Sequence, residues 1–385
     1  MSVLSVAGVE ALKTRAQADV DSGVLPSCQY ALALDGEVVV AETLGDAPSD
    51  ARYAIWSTTK PVFASVVWQL MGEGLLDLTR PVADLWPEFG AHGKDRVTLE
   101  HLLLFTAGFP TPVLDPSVIG DRDRCVKQME QWTLEFEPGT EWAYHGVSAH
   151  WVMAELVNRV DGGDHRRSLR ERVLDPLGLD RLELGVPVGK QEGIRLVRKG
   201  GSPAKPEEVA AYLGLPELPA EIAEMIANAA AGATATPGTG LDIYELPEVR
   251  AAGVPGAGGV SDASSLAMFY QELLHNRAGV WDAAILADAT GNVRNTMAGS
   301  LLNILAMRTV GLEVQGDDPT AKFRPGCGHA SPRTFGHGGA GGQISWADPE
   351  SGLSFAYLTD GDDVNAIRQN LRVQELAAAA VACLA

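Results

Sequence analysis

Hydrophobic and polar positions follow a strand-like pattern near both ends of the chain. The run CQYALALDGEVVVAETLG, which begins at Cys28, consists of two β-rich halves divided by Asp35-Gly36. The run GQISWADPESGLSFAYLTDG, which begins at Gly342, turns through residues 348–352. An Asp-Gly pair or a short turn between two such runs is typical of a hairpin. The sequence therefore predicts two β-hairpins, one near each end.

Between and around these runs the apolar residues follow a helical spacing. They predict a first helix over residues 5–22 and a last helix over roughly 363–383. A helical stripe also follows Lys60 and is formed by Phe63, Val66, Val67 and Leu70. Strands near both ends with helices between them predict an α/β (α+β) fold. In this fold both chain ends build one sheet, and a mainly helical region is inserted.

The same pattern suggests a division of the chain into two domains. We assign residues 1–80 and 240–385 to the sheet domain and residues 81–239 to the helical domain. Within the helical domain, residues 187–239 are rich in Gly, Pro and polar residues, as in RKGGSPAKPEE and GATATPGTG. Two interpretations stay open for this segment: a lid or pocket wall, or a decorated surface loop.

Composition and charge limit the partners of the protein. Of 385 residues, 46% are hydrophobic and 21% are charged, as in ordinary globular proteins. The formal net charge of −20 repels phosphate backbones and anionic membrane surfaces. We therefore expect neither a nucleic acid nor a membrane as partner, while the oligomeric state stays open.

The cysteines and the chain ends bear on localisation. None of the cysteines has CxxC spacing, which argues against a disulfide framework or a zinc site: Cys28, Cys125, Cys327 and Cys383. The first twenty residues lack the basic and apolar regions of a secretory signal. The apolar ending LAAAAVACLA has only about half the length of a membrane span. We expect a cytoplasmic protein.

The hexapeptide WSTTKP, residues 56–61, is the first candidate for chemistry. Residues three apart share a helix face, so Lys60 can reach Ser57, and Pro61 is tolerated in a first turn. Burial lowers the pKa of a lysine, which could then take the serine proton. The alternative is an ordinary helix start, and a second SxxK at Ser202–Lys205 shows how common the pattern is. The hydrophobic helix after Lys60 favours Ser57, because it would bury the lysine.

A tyrosine and a glycine-rich run supply two further candidates. In FEPGTEWAYHG, Tyr144 precedes a predicted helix and can act as general base or acid, or it can be a core tyrosine. Near a Lys60 cation we expect its phenol pKa to fall. In FGHGGAGGQ, glycines around His337 open a strand that can hold a substrate and add an oxyanion N–H, or they form a simple turn. A GxSxG elbow and an HExxH motif are absent from the sequence.

Together the three motifs resemble the serine β-lactamase and penicillin-binding-protein superfamily. The greatest similarity is to class C β-lactamases and the family VIII carboxylesterases. LEHLLLFTAGFP resembles the family segment LL-x-HTSG, and PGAGGVSDASSLAMFYQELL resembles its GG-x-x-S-x-x-D helix entry. The resemblance covers roughly residues 20–360 and implies a β-lactamase/transpeptidase-like fold with an antiparallel sheet flanked by helices.

The resemblance also implies roles for individual residues. Ser57 would be the acyl-accepting nucleophile, and Lys60 and Tyr144 would share the base and acid roles. The oxyanion that forms on the substrate would be held by two backbone N–H groups, that of Ser57 and that of a residue at or near Ala340. The stretch that stands where the family has Lys-Thr-Gly consists of His337, Gly338 and Gly339.

Two departures from the family pattern bear on the substrate. The Tyr-x-Asn motif of β-lactamases has Gly146 at its third position here, so the amide that holds the substrate's side chain is missing. His337 replaces a lysine that helps to hold the β-lactam carboxylate. Both changes favour simple esters, and we predict a cofactor-free serine carboxylesterase with a small-molecule ester as substrate. The alternatives are a β-lactamase, a D-aminopeptidase or amidase, an acyltransferase, and a non-catalytic sensor domain.

Overall fold

The computed structural model describes residues 4–224, 241–299 and 303–384. The strands are β1 (Ser27–Leu34), β2 (Glu37–Gly45), β3 (Arg52–Ala54), β4 (Glu183–Leu184), β5 (Ile194–Arg195), β6 (Arg198–Gly200), β7 (Gly259–Ser261), β8 (Glu313–Val314), β9 (Phe335–Gly339), β10 (Gln343–Ala347), β11 (Ser354–Thr359) and β12 (Gly361–Asp363). The helices are α1 (Val6–Asp21), α2 (Thr59–Gly72), α3 (Leu99–Leu104), α4 (Arg122–Glu130), α5 (Ser148–Val160), α6 (His165–Leu169), α7 (Pro206–Leu213), α8 (Pro247–Ala252), α9 (Ala263–His275), α10 (Ala283–Gly291) and α11 (Ala366–Val381).

The main sheet is antiparallel and has the strand order β2-β1-β11-β10-β9-β8. Its strands come from both ends of the chain, as the sequence predicts. Both predicted hairpins, β1-β2 and β10-β11, are present. In the first, Asp35 and Gly36 have φ values of 51° and 75°, which is the left-handed backbone that a tight two-residue turn requires. The predicted fold class is therefore confirmed.

Two layers of helices cover the main sheet. Every residue of β1 is buried, and its side chains alternate between the two faces. Tyr30 and Leu32 pack with residues of α1 and α11 in one core cluster. Ala31 and Ala33 point into the other cluster, which contains residues of α2, α5 and α9. Because alanine is small, α9 can pack closely on that face.

Helix α2 lies in the centre of the molecule. Its first twelve residues are buried except for the intermediate Gln69, so it is apolar on almost every side, as expected for a core helix. The helix begins at Thr59, and Ser57 lies in the preceding 3₁₀ turn Trp56–Thr58, where the sequence alone suggested a helix start at Ser57. Trp56 has φ 47°, which turns the chain from β3 into α2. Ser57 is thus held between two buried neighbours at the N-terminal end of α2.

Smaller sheets link the segment after residue 183 to the rest of the protein. One has the strand order β4-β7-β3-β5, and another pairs β12 with β6. Arg195 and Arg198 both contact the buried carboxylate of Asp360. The described part of the 187–239 segment is therefore anchored at residues 194–200, while residues 225–239 of that segment lie outside the described residues.

Two further observations concern the pairing of the cysteines and the length of the helices. All four cysteines are buried and unpaired. In the part of the chain that the structure describes, no helix combines the length and apolar character needed to cross a bilayer.

Candidate active site

Three segments that are distant in sequence meet around one cleft of about 540 Å³. They are the turn before α2, the segment before α5, and β9 with the turn that follows it. The sequence-predicted residues that line this cleft are Ser57, Tyr144, Gly146, His337, Gly338, Gly339 and Ala340. Lys60 lies beside it, fully buried, and contacts Ser57. The structure thus brings together every site residue that the sequence predicts.

Lys60 is held by three oxygen atoms. Its Nζ lies 2.9 Å from Ser57 Oγ, 2.7 Å from the carbonyl oxygen of Gly146 and 2.8 Å from that of Gly256. The two carbonyls come from the tyrosine segment and from the segment before β7. Folding of three separate regions is therefore needed to fix the position of this amine.

The charge of Lys60 decides what it can do to Ser57. Burial, together with the positive charge of Arg308, holds the pKa of Lys60 well below its ordinary value, although Glu313 opposes the shift. An uncharged amine has two N–H groups and one lone pair. The carbonyls of Gly146 and Gly256 accept the two N–H groups, which leaves the lone pair facing the Ser57 hydroxyl. The site can therefore take the proton of Ser57.

Tyr144 contacts Ser57 from another side. Its Oη donates to Ser57 Oγ over 2.9 Å, and its ring packs edge-on against Phe105 with a centroid distance of 5.3 Å. The ring is 42% exposed and forms part of the cleft wall. Ser57 Oγ thus lies within hydrogen-bond distance of both Lys60 and Tyr144.

The predicted direction of the Tyr144 pKa is wrong. Desolvation raises the pKa of Tyr144 above its ordinary value, where the sequence led us to expect a fall. The expectation required a charged Lys60, and the pKa of Lys60 is itself strongly lowered in the folded site. The hydrogen bond with Ser57 and the charge of Arg308 oppose the rise of the Tyr144 pKa but do not cancel the effect of lost hydration on a phenolate. Tyr144 keeps its proton at neutral pH and can donate it.

Strand β9 runs beside the Ser57 turn because glycine allows a very close approach. A Cβ atom at Gly339 would lie 2.7 Å from the carbonyl oxygen of Ile55, closer than real side chains come. Ala340 begins the 3₁₀ turn Ala340–Gly342 directly after β9 and lines the same cleft as Ser57. The backbone of this strand end is thus available to a substrate bound at Ser57.

His337 is buried and uncharged at neutral pH. Burial is the main cause that lowers the pKa of His337 to about 4; Glu313 opposes this shift, and the positive charge of Arg308 adds to it. Its Nδ1 lies 2.5 Å from the carbonyl oxygen of Gly338, and its Nε2 lies 3.8 Å from Glu313 Oε1. His337 therefore does not supply the positive charge of the lysine that it replaces in the resemblance.

An ion pair between buried Arg308 and half-buried Glu313 lies beside these residues and was not predicted from the sequence. Arg308 Nη1 donates to Glu313 Oε1 over 2.7 Å, and the guanidinium carbon lies 4.0 Å from the ring centroid of Phe105. Burial disfavours the Glu313 carboxylate, but neighbouring groups that include Arg308 outweigh burial and lower the pKa of Glu313. An Arg and a Glu five residues apart form no recognisable motif. The only sequence signal near this pair is its neighbour Phe105, which stands in the LL-x-HTSG-like segment where the family has histidine.

The remaining candidates lie outside this cleft. Ser202 and Lys205 of the second SxxK are exposed and do not line it. Across residues 4–224, 241–299 and 303–384, no group of three or more His, Cys, Asp or Glu side chains is arranged to hold a metal ion.

Comparison with known proteins gives the family and the fold of the chain. A family model described as beta-lactamase matches residues 12–380. The esterase/beta-lactamase LipL of Mycobacterium tuberculosis is 29% identical over 345 residues, which is 85% of this chain and 75% of that protein. The chain also resembles a penicillin-binding protein homologue from Caulobacter crescentus, with a TM-score of 0.74, 27% identity and 99% coverage of both chains. A family VIII carboxylesterase gives a TM-score of 0.72, 26% identity and 98% coverage of both chains.

The family match spans nearly the whole chain, and the solved relatives share its fold from end to end. The chain therefore belongs to the beta-lactamase/transpeptidase-like superfamily.

Proposed function

We propose that the protein is a serine carboxylesterase that hydrolyses small to medium carboxylic esters through an acyl-enzyme on Ser57. The observation that carries this proposal is the placement of Ser57 Oγ 2.9 Å from both Lys60 Nζ and Tyr144 Oη. The lowered pKa of Lys60 makes it a base, and the raised pKa of Tyr144 keeps it an acid. A serine becomes a useful nucleophile when such a base stands beside it.

Acylation begins with transfer of the Ser57 proton to Lys60. Ser57 Oγ then attacks the ester carbonyl carbon, and the N–H groups of Ser57 and Ala340 hold the resulting oxyanion. As the bond to the alcohol breaks, Tyr144 gives its proton to the leaving oxygen. The site now holds an acylated Ser57, a Lys60 ammonium and a Tyr144 phenolate, whose opposite charges balance.

Deacylation returns each group to its starting state. The Tyr144 phenolate takes a proton from water, and the hydroxide that forms attacks the acyl carbon. As the bond to Ser57 breaks, the serine oxygen takes the proton from the Lys60 ammonium. The carboxylic acid leaves, and Lys60 is uncharged again.

Two features favour an ester over a β-lactam or a peptide. Gly146 has no side chain to bind an amide, and a Cβ atom placed there would have no neighbour within 4 Å. His337 is uncharged, because its pKa is lowered to about 4, so it offers no cation to a carboxylate. An ester also has a better leaving group than an amide. The name of one solved relative, a family VIII carboxylesterase, supports this choice.

The proposal is tested by kinetics with matched substrates and variants. p-Nitrophenyl butyrate should be hydrolysed with a higher kcat/KM than nitrocefin, and Ser57→Ala should reduce kcat by roughly 10⁴- to 10⁶-fold. Ser202→Ala is the matched control, since it removes the exposed serine of the other SxxK. It should retain wild-type kinetics.

Each alternative has its own outcome in the same assay. Dominant nitrocefin turnover would favour a β-lactamase, and dominant turnover of D-amino acid amides would favour an amidase. Transfer of the acyl group to an added alcohol in preference to water would favour an acyltransferase. Binding of these compounds without turnover would favour a sensor domain.

We infer a cytoplasmic location for this activity. The inference is supported by four buried cysteines that stay unpaired, as is usual in a reducing compartment. Cell fractionation should recover the esterase in the cytosol, and recovery in a membrane or extracellular fraction would contradict the inference.

A further inference from the structure

Arg308 is a buried cation that lies one aromatic ring away from Tyr144. Its guanidinium carbon is 4.0 Å from the centroid of the Phe105 ring, and the same ring meets Tyr144 edge-on, with 5.3 Å between the ring centroids. Arg308 is 1% exposed and Phe105 is 0% exposed. An arginine stays charged at every working pH. The fold therefore holds a permanent positive charge close to the groups that contact Ser57.

The position of Arg308 is fixed by its backbone and by one carboxylate. Its N–H and C=O groups both pair with the backbone of Asn295, whose amide donates to the carbonyl oxygen of Leu104, directly before Phe105. Its Nη1 donates to Glu313 over 2.7 Å, but its buried Nε has no partner among the residues that the structure describes. A buried donor without a partner is costly. Hydrogen bonding alone therefore does not account for an arginine at this place.

The charge of Arg308 is not offered to the substrate. Tyr144, Glu313 and His337 line the catalytic cleft, and Arg308 is not among the lining residues. A carboxylate on a substrate would meet the carboxylate of Glu313 at this part of the wall. Arg308 can therefore act on the groups around Ser57 without making an anion-binding site.

Few groups near Lys60 carry a charge at neutral pH. Those that can titrate or carry a charge come from the segment before α5, α5 itself, the segment before β8, β8 and β9: Tyr144, His145, His150, Arg308, Glu313 and His337. Burial lowers the pKa of the three histidines and raises that of the tyrosine, so all four are uncharged. Burial disfavours the Glu313 carboxylate, but neighbouring groups outweigh it and lower the pKa of Glu313. Arg308 and Glu313 are thus the charged pair that acts on Lys60, and they act in opposite directions.

We propose that Arg308 is a positioning residue whose fixed charge, held behind Phe105, keeps Lys60 in the uncharged form that accepts the Ser57 proton and stabilises the phenolate form of Tyr144. The proposal rests on the mechanism proposed above. A positive charge repels a Lys60 ammonium and attracts a Tyr144 phenolate. A buried apolar ring lies between the guanidinium and Tyr144, so the interaction is screened less than it would be in water. Glu313 weakens both effects.

The first test measures kcat/KM for p-nitrophenyl butyrate against pH. Arg308→Met removes the charge, so Lys60 should gain a proton more easily and the acid limb should move to higher pH by about half a unit or more. Glu313→Gln leaves Arg308 unopposed and should move the limb to lower pH. Arg308→Lys keeps a positive charge and should return the limb toward its wild-type position. A merely structural role of the pair gives no reason for opposite shifts.

Arg294→Met is the matched control for this test. Arg294 pairs with Glu100 and Asp288, its side chain is 31% exposed, and it does not line the cleft. Its acid limb should coincide with that of the wild type. Shifts in the same direction in Arg308→Met and Glu313→Gln, or no shift in either, would overturn the proposal. Should circular dichroism show that Arg308→Met is unfolded, Glu313→Gln decides alone, and a limb that stays or rises overturns the proposal.

The second test concerns the effect of Arg308 on Tyr144. p-Nitrophenolate leaves without needing a proton, whereas the alcohol of an alkyl ester needs the proton of Tyr144. Without the charge of Arg308, Tyr144 is a weaker acid. Arg308→Met should therefore lower the plateau of kcat/KM for methyl butyrate about fivefold or more beyond its effect on p-nitrophenyl butyrate. Equal losses for the two esters would overturn the part of the proposal that concerns Tyr144.

The outcomes separate this proposal from the one it rests on. Ester hydrolysis without opposite shifts of the acid limb overturns the role of Arg308 and leaves the esterase proposal standing. Hydrolysis of neither ester by the wild type overturns the esterase proposal. In that case the pH dependence of Ser57 labelling by a p-nitrophenyl alkylphosphonate decides the role of Arg308, with the same opposite shifts expected in Arg308→Met and Glu313→Gln.

Discussion

In the proposed mechanism, Lys60 is the residue on which the chemistry depends. A lysine with its ordinary pKa, near ~10.4, would be charged at neutral pH and could not take a proton from serine. Burial in this fold lowers the pKa of Lys60 and so favours its uncharged form, in which two backbone carbonyls accept its N–H groups and the free electron pair can face Ser57. In the proposed mechanism the environment of the lysine therefore activates Ser57.

The pH dependence of the reaction tests this interpretation of Lys60. Since the pKa of Lys60 is lowered, kcat/KM for an ester should fall as the pH drops through that value and Lys60 gains a proton. Above it, kcat/KM should be level well before pH 10, because Tyr144 with its raised pKa stays protonated. A kcat/KM that rises tenfold per pH unit between pH 8 and 10 would mean that Lys60 has an ordinary pKa.

His337 provides a control for the same profile. Its pKa of about 4 means that it carries no charge change between pH 6 and 10. His337→Gln should therefore alter the height of the kcat/KM profile without moving its acid limb. A shift of that limb would assign the titration to His337 and away from Lys60.

At the scale of elements, the approach of β9 to the Ser57 turn shapes the site. Gly339→Ala places a methyl group 2.7 Å from the Ile55 carbonyl oxygen and 2.9 Å from Gln343 Cβ, so the strand or the turn must move. We expect the free energy of unfolding to fall by about 1–3 kcal/mol, as in overpacked cores. Denaturant unfolding monitored by tryptophan fluorescence measures this loss.

Gly338→Ala is the matched control for that experiment. The nearest atom to a Cβ at Gly338 is the Gln343 carbonyl oxygen at 3.9 Å, which is an ordinary contact. Its free energy of unfolding should stay within about 0.5 kcal/mol of the wild type. A loss for Gly339→Ala no greater than that for Gly338→Ala would contradict the expected cost of the close approach at Gly339.

Features that depend on one local element are the ones that the sequence could predict. Asp35-Gly36 identifies a hairpin because the turn needs a left-handed backbone, and this is a local property. The motifs around Ser57, Tyr144 and His337 are local as well, and their order along the chain pointed to one site. The contacts of Gly256, Phe105 and Arg308 arise only when distant segments pack together, so no spacing in the sequence predicts them.

The direction of the Tyr144 pKa shift is another property that could not be predicted from the sequence. Its direction depends on whether Lys60 is charged, and the charge of Lys60 depends on how completely the fold buries it. The helix stripe after Lys60 predicted burial of the lysine. The consequence for a tyrosine 84 positions later needed the assembled site.

At the scale of the whole molecule, the sheet built from both chain ends brings the site together. Strand β9 comes from the C-terminal part, and α2 follows directly from the N-terminal strands. The tyrosine segment comes from the region between them. The residues proposed to be catalytic therefore lie where these three parts of the chain meet.

The most direct test of this account is to identify the residue that becomes acylated. A p-nitrophenyl alkylphosphonate should react with the wild type and with Ser202→Ala, and peptide mass spectrometry should find the adduct on Ser57. Ser57→Ala should carry no adduct under the same conditions. An adduct on any other residue of the wild type, or labelling that persists in Ser57→Ala, would contradict the account.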